Sequence, residues 1–391
     1  MDFDRIIAPM TREEFLSRHW EQGWLHLKGT PGRFADLMPW PDLNLLLANT
    51  RLAPPLVRLS QNGETLDAAA YMHTPPGAGH LPRMDAGKVG VLLAQGATLV
   101  LHMVEDIAPG VRALARAVSE ALQARSYVNL YASWKTQNGF DLHWDAHEVL
   151  VLQVHGRKRW RIHAPTQDHP LDAGTPPRPT GAPVWEGMLE EGDILYLPRG
   201  WWHMAEPVNE PSLHLTVGIS PMHGVNLLNW LGGRLRRHSA LARRNMPIAA
   251  GPARAQHVAA LRALVVDSLT DAAVEEFLQE ATEHQHGHPD LQLPDAPSLQ
   301  LSPLTERSLI RLASSSRLVL RTEGDVVTFN AYEKNYRVPA FVRPALLLLS
   351  DAGAVSVADL QASLESDVAR ASLMDGLTML ARAGVLLVEN R

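Results

Sequence analysis

Two short stretches hold the residues best suited to chemistry. In Gly139-Phe-Asp-Leu-His143-Trp-Asp145 an imidazole and a carboxylate stand two positions apart, and in extended backbone such residues project to the same side. The pair offers two neighbouring positions to a metal ion. In Gly192-Asp-Ile-Leu-Tyr-Leu-Pro198-Arg-Gly200-Trp-Trp-His203 a strand ends in a Pro/Gly turn that presents a further imidazole, about 60 residues after the first. Two His and one carboxylate on one face of an octahedral ion leave three positions open, an arrangement suited to non-haem Fe(II) and O2. Either stretch alone has an ordinary explanation, a chance pair or a strand–turn–strand with a surface His. Together, in order and inside a strand-rich region, they make His143, Asp145 and His203 the candidate metal ligands and catalytic centre.

A third stretch points to a cosubstrate. In Arg157-Lys-Arg-Trp-Arg-Ile162, strand alternation puts Lys158 with Trp160 and Ile162 and sends the three Arg to the opposite face. An inward Lys among apolar neighbours needs an anion beside it. Asn129 alternates with Tyr127, Tyr131 and Ser133, which gives that strand a polar face fit for a cavity, and Thr216 with His214 does the same for the strand after His203. His147 shares parity with His143 and Asp145 and reads as a buried, hydrogen-bonded imidazole.

The elements that must position these residues are short strands. Residues 127–134, 149–154, 159–162, 194–197 and 213–217 alternate or run apolar between Gly/Pro turns, the texture of a jelly roll. Before them, Thr11 and Glu14 form a capping-box signature, and apolar residues at 111, 114, 115, 118 and 122 have helical spacing. After residue 221 the pattern turns helical over 226–242, 252–268 and 270–284, and His284–His288 reads as a polar linker. From about 301 a smaller unit follows: a helix near 305–313, two strands near 317–321 and 326–330, three helices, and a final strand over 385–389.

Composition narrows the classes. The 391 residues are 46% apolar and 20% charged, an ordinary globular balance. With no cysteine, disulfide scaffolds, thiolate zinc sites, iron–sulfur clusters and cysteine nucleophiles are excluded. A net charge of −6 argues against a nucleic-acid glove. From Phe341 onward four Arg face six Asp or Glu, so no specific DNA binding is expected. The basic run from Leu231 to Arg244 reads as a solvated helix face beside an oligomer seam. No apolar stretch reaches the roughly 18 residues of a membrane span, and a cytoplasmic chain is expected.

Over Tyr127–Ser220 the sequence resembles the JmjC-type cupin Fe(II)/2-oxoglutarate oxygenases, and within them the ribosomal oxygenases. The residues that carry the likeness are Gly139–Asp145, Leu152-Gln-Val-His-Gly-Arg-Lys-Arg-Trp160 and Gly192–His203. Pro207, where that family often has Asn, departs from the pattern at a position that is not a ligand. The resemblance implies an α+β chain with a mainly β core: a double-stranded β-helix (jelly-roll, cupin/JmjC) catalytic domain over residues 1–222. A helical dimerisation region over 223–300 and a winged-helix-like domain over 301–391 would follow. It further implies that His143, Asp145 and His203 bind Fe(II), with 2-oxoglutarate and O2 as cosubstrates. Lys158, fifteen positions after the first metal His, would anchor 2-oxoglutarate. Asn129, fourteen positions before it, would lie near that molecule, and Thr216 would be a further contact. The implied activity is hydroxylation of an Arg or His side chain in a ribosomal protein by a homodimer. Two alternatives stay open: the same chemistry on a peptide natural-product precursor or another protein, and a non-enzymatic cupin sensor with the winged helix as output.

Overall fold

The computed structural model of the chain describes residues 2–74, 82–136, 139–171, 177–283, 304–313, 318–331, 334–364 and 367–389. It separates into two compact units, Met1–Pro221 and Met222–Arg391. The expected linker at 284–288 and the expected border near residue 300 lie outside the described residues.

The first unit carries the strands β1 (Leu25–Leu27), β2 (Val57–Gln61), β3 (Glu64–Thr65), β4 (Met72–His73), β5 (Arg83–Met84) and β6 (Thr98–Leu101). It continues with β7 (Arg125–Ser133), β8 (Glu148–His155), β9 (Lys158–His163), β10 (Trp185–Leu189), β11 (Ile194–Leu197), β12 (Trp202–Pro207) and β13 (Ser212–Ser220). Eight of these form one sheet in the order β1-β11-β8-β13-β7-β6-β2-β3, and three form a facing sheet in the order β10-β9-β12. From β8 to β13 the chain passes back and forth between the two sheets, which is the expected jelly roll.

Side-chain parity explains how one sheet serves two layers. Val128, Leu130 and Ala132 of β7, Leu150, Leu152 and Val154 of β8, and Leu213, Leu215, Val217 and Ile219 of β13 all pack outward. They meet the helix Pro109–Leu122, whose Val111, Leu114, Ala115 and Val118 are buried at helical spacing, and the amino-terminal helices. On the other face, Val149 and Val151 join Trp160, Ile162, Leu195 and Leu197 in a separate cluster between the sheets. Strand β8 is thus covered on both sides, which accounts for its nearly unbroken apolar run. Each such Val or Leu contributes about 1.5–3 kcal/mol by leaving water. On the inward face, Tyr127, Asn129 and Tyr131 of β7 and His214 and Thr216 of β13 line a cavity.

In the second unit, the helices Gly224–His238 and Asp271–Glu283 are tied by Trp230 against Phe277 (5.8 Å) and by Trp230 Nε1 donating to Glu280 at 2.8 Å. The helix Pro252–Ser268 lies between them in sequence. Among the described residues six strands follow: β14 (Leu309–Leu312), β15 (Arg321–Glu323), β16 (Val326–Ala331), β17 (Lys334–Pro339), β18 (Ala354–Ser356) and β19 (Leu386–Glu389). They form the sheets β18-β14-β19 and β15-β16-β17, packed with the helices Arg343–Ala352, Val357–Ala362 and Asp367–Arg382. The helix expected near 305–313 is instead a turn followed by β14. Ile310 and Leu312 alternate inward there, and flanking strands satisfy the backbone on both sides. No helix among the described residues is long and apolar enough to cross a membrane.

Candidate metal centre

Residues 139–147 form an irregular segment leading into β8, with no regular strand carrying His143. What brings the two motifs together is a single bridge. The His143 N–H donates to the His203 carbonyl at 3.1 Å, and the His203 N–H donates to the His143 carbonyl at 2.7 Å. The two rings consequently sit 4.4 Å apart. Gly200 makes the turn that delivers His203. Its φ is +82°, and a Cβ there would stand 2.6 Å from Pro170 Cδ, so glycine is required for both reasons.

Hydrogen bonds choose which nitrogen of each ring faces the centre. His143 Nδ1 donates to the Asp141 carbonyl at 2.8 Å, and His203 Nδ1 donates to the Trp201 carbonyl at 3.0 Å. Both Nε2 atoms are therefore left with free lone pairs. Asp145 Oδ2 lies 3.5 Å from His203 Nε2. One ligand atom from each of His143, Asp145 and His203 lies within 4.8 Å of the others, the one such group among the described residues. Burial and the neighbouring His143 push His203 down to about 4, so its imidazole is neutral at neutral pH. Burial alone would raise Asp145, but the facing imidazoles of His203, His143 and His147 hold its carboxyl below the usual range. Neutral nitrogens and an ionised carboxylate are the protonation states a divalent cation requires.

The triad opens on a cavity of about 270 Å³ that is also lined by Lys158, Asn129 and Thr216. All six sequence-derived site residues thus share one chamber. Lys158 is 3% exposed and has neither an ion pair nor a hydrogen bond among the described residues, and burial pushes it down to about 7. Asn129 and Thr216 are register partners on β7 and β13. Asn129 Oδ1 accepts from His102 Nδ1 at 3.2 Å, which leaves its amide N–H groups unused by that bond. His147 bonds the Tyr127 hydroxyl at 3.0 Å, at the edge of the same cavity. Buried His214 lies beneath Tyr131, with ring centroids 4.9 Å apart, and its Nδ1 lacks a partner among the described residues.

Among the lining residues without a signal in the sequence are Arg58 of β2 and His102, just after β6. They reach the chamber because β6 pairs with β7 and β2 pairs with β6. The Asp of the Gly192-Asp193 pair has a different task from the triad. Buried Asp193 accepts from Gly29 N at 2.8 Å, Glu190 N at 3.1 Å, His26 Nε2 at 2.8 Å and Lys28 Nζ at 3.0 Å, fastening β1 and the turn after it to β11.

Residues 106–227 match the JmjC domain family. Among curated proteins, the chain is 30% identical over 223 residues to the bifunctional lysine-specific demethylase and histidyl-hydroxylase NO66 of Drosophila persimilis, covering 54% of this chain and 31% of that protein. It is 30% identical over 228 residues to ribosomal oxygenase 1 of Gallus gallus, covering 55% of this chain and 36% of that one. The chain therefore spans about a third of the length of these relatives. Among solved structures, the ribosomal oxygenase YcfD from Escherichia coli, in complex with cobalt and 2-oxoglutarate, superposes with a TM-score of 0.62 at 20% identity. That match covers 98% of this chain and 99% of the other, and shows a shared fold.

Proposed function

With a JmjC domain at residues 106–227 as the premise, we propose that the chain is an Fe(II)- and 2-oxoglutarate-dependent oxygenase that hydroxylates an Arg or His side chain of a ribosomal protein. The observation that carries this reading is the pairing, within one chamber, of a His–Asp–His ligand set with a buried lysine that has no partner. The names of the relatives support the ribosomal target.

Iron together with 2-oxoglutarate, when bound, supplies the oxygen activation and the oxidising power. The residues of the chain do the positioning. His143 and His203 would offer neutral Nε2 atoms to the metal, and Asp145 would offer a charged oxygen. The Lys158 ammonium would pair with a carboxylate of the keto diacid, an anion that would relieve the cost of its burial. Asn129 and Thr216, side by side on β7 and β13, would hydrogen-bond the same molecule. Val149, Val151 and Trp160 keep the floor of the chamber dry, which strengthens each of these polar contacts. His147, held by Tyr127, borders the path by which a side chain approaches the triad.

The helical region 223–300 serves homodimerisation in this reading, supported by a helix Pro252–Ser268 with no buried side chain and with Val258, Val265 and Val266 exposed. The carboxy-terminal region 301–391, taken as winged-helix-like, serves to dock substrate or as structure. A ribosomal target places the chain in the cytoplasm.

The test is incubation of the purified chain with Fe(II), 2-oxoglutarate and ribosomal proteins. Succinate release and a mass gain of one oxygen atom on a ribosomal protein are expected, and His143→Ala or His203→Ala abolishes both. Succinate release without a modified ribosomal protein would remove the ribosomal assignment and leave the oxygenase.

A further inference from the structure

A second cavity, of about 860 Å³, adjoins the chamber and shares Arg58, His102, Tyr127 and Asn129 with it. Its walls are largely apolar, from Pro54, Pro55, Leu56, Leu66 and Met103. Its charged lining residues among those described are two arginines, Arg58 and Arg125, and of these Arg125 has the Glu105 carboxylate within electrostatic reach. In the inner chamber Asp145 is the one acidic lining residue described, and the ligand set already employs it. Anything passing from the outer cavity to the triad passes the Arg58 guanidinium, which lines both cavities.

Arg58 stands where the two cavities join. Its guanidinium lies over the Phe140 ring at 5.0 Å, and its Nε is buried without a hydrogen-bond partner among the described residues. The stacking holds the charge in place at the mouth, and the missing partner leaves its charge without local compensation. The same field acts on the neighbouring imidazole: burial, then the Arg58 charge, lowers His102 below the usual histidine range. A protonated guanidinium or ammonium arriving from a substrate would meet the same repulsion and would also lose its water on entering. A neutral imidazole or carboxamide meets neither obstacle, and it can accept a hydrogen bond from Arg58.

Resting on the oxygenase reading above, we propose that Arg58 is a specificity-determining charge filter that admits an uncharged acceptor side chain and rejects a cationic one. Of the two acceptors that reading names, histidine fits the passage and arginine does not.

The experiment starts from the ribosomal-protein peptide that the purified chain oxidises best, resynthesised with its acceptor as His, Arg or citrulline. Citrulline matches arginine in shape and lacks its charge. Binding of each labelled peptide to the protein loaded with Mn(II) is measured by fluorescence anisotropy, alongside turnover by the iron-loaded protein. His and citrulline peptides should bind at least about tenfold more tightly than the Arg peptide, since rejection of a charge exceeds that of a mere size difference. Arg58→Gln should collapse that ratio, and Arg58→Lys should keep it. Reading ratios within each variant cancels any general loss of activity. Equal binding of Arg and citrulline peptides, or an unchanged ratio in Arg58→Gln, would overturn the filter. Absence of succinate release with every peptide would overturn the oxygenase reading, and the filter with it.

Discussion

The Gly200 N–H donates to the Asp145 carbonyl at 2.9 Å, so the turn that delivers one imidazole is bonded directly to the backbone of the candidate carboxylate ligand. The two halves of the centre are 60 residues apart in sequence, and they are locked to each other at this bond and at the His143–His203 bridge. Gly200→Ala forces a side chain into a left-handed position against Pro170. A loss of about 1–3 kcal/mol is expected, with weaker metal binding. Chemical denaturation and metal titration of the variant measure the two effects, and unchanged values for both would refute the argument.

The ligand triad predicts metal-dependent stability. Adding Mn(II) or Co(II) at about a hundred times its dissociation constant should stabilise the fold by about 2.7 kcal/mol. The rise in Tm should vanish in His143→Ala and in Asp145→Ala. A wild-type Tm indifferent to both ions would count against a metal site.

Lys158 makes anion binding depend on pH. Burial lowers it to about 7, so above that pH the empty chamber holds a neutral amine. Binding a dicarboxylate needs the charged form and must take up a proton there. Succinate affinity should therefore fall by about tenfold per pH unit above 7. Calorimetry in two buffers of different ionisation enthalpy detects the uptake directly. For stability the sign is opposite to that of a paired lysine. The folded pKa is below the unfolded one, so stability is full above about 10.5 and lost as pH falls toward 7. Lys158→Met should abolish succinate binding and leave the fold at least as stable at pH 7.

Glu148 sets a second pH dependence, away from the cavity. It is fully buried, and burial pushes it up to about 7 although the Tyr196 hydroxyl and the Arg199 N–H donate to it. The folded state holds this proton more tightly than the unfolded chain does. Its contribution is complete below about 4.5 and lost as pH rises to 7, by at most about 3 kcal/mol. Glu148→Gln, which accepts the same hydrogen bonds, should flatten the decline in Tm between pH 5 and pH 8.

The dimer assignment predicts a species of twice the chain mass in light scattering. Val265 and Val266 are both exposed on the helix Pro252–Ser268, and Val266→Glu should return the protein to a monomer. A wild-type monomer at high concentration would end that assignment.

The candidate ligands His143, Asp145 and His203 were legible because each sits in a short segment whose residue types and turn chemistry are local. Lys158 was legible for a related reason, since alternation along β9 is visible within six residues. Arg58 and His102 were not. Arg58 within β2 and His102 just after β6 each look like an isolated polar residue in the sequence, and only the long-range order β7-β6-β2 carries them to the chamber. The error near residue 309 has the same origin. Leu309–Leu312 is too short to reveal its period, and its strand character comes from partners about 45 and 75 residues away. The double cover of β8 could be read as an apolar run, but not which of its faces met the helices.

Thr216 and Asn129 face each other at one rung of a ladder in which every neighbouring rung points the other way. One extra residue in either strand would turn that wall inside out, driving hydroxyls and amides into grease and leaving bare hydrocarbon where the diacid should sit. Spacing along these two strands is therefore as strictly constrained as residue identity, and a deletion scan across them should find no tolerated site even where every point substitution is harmless.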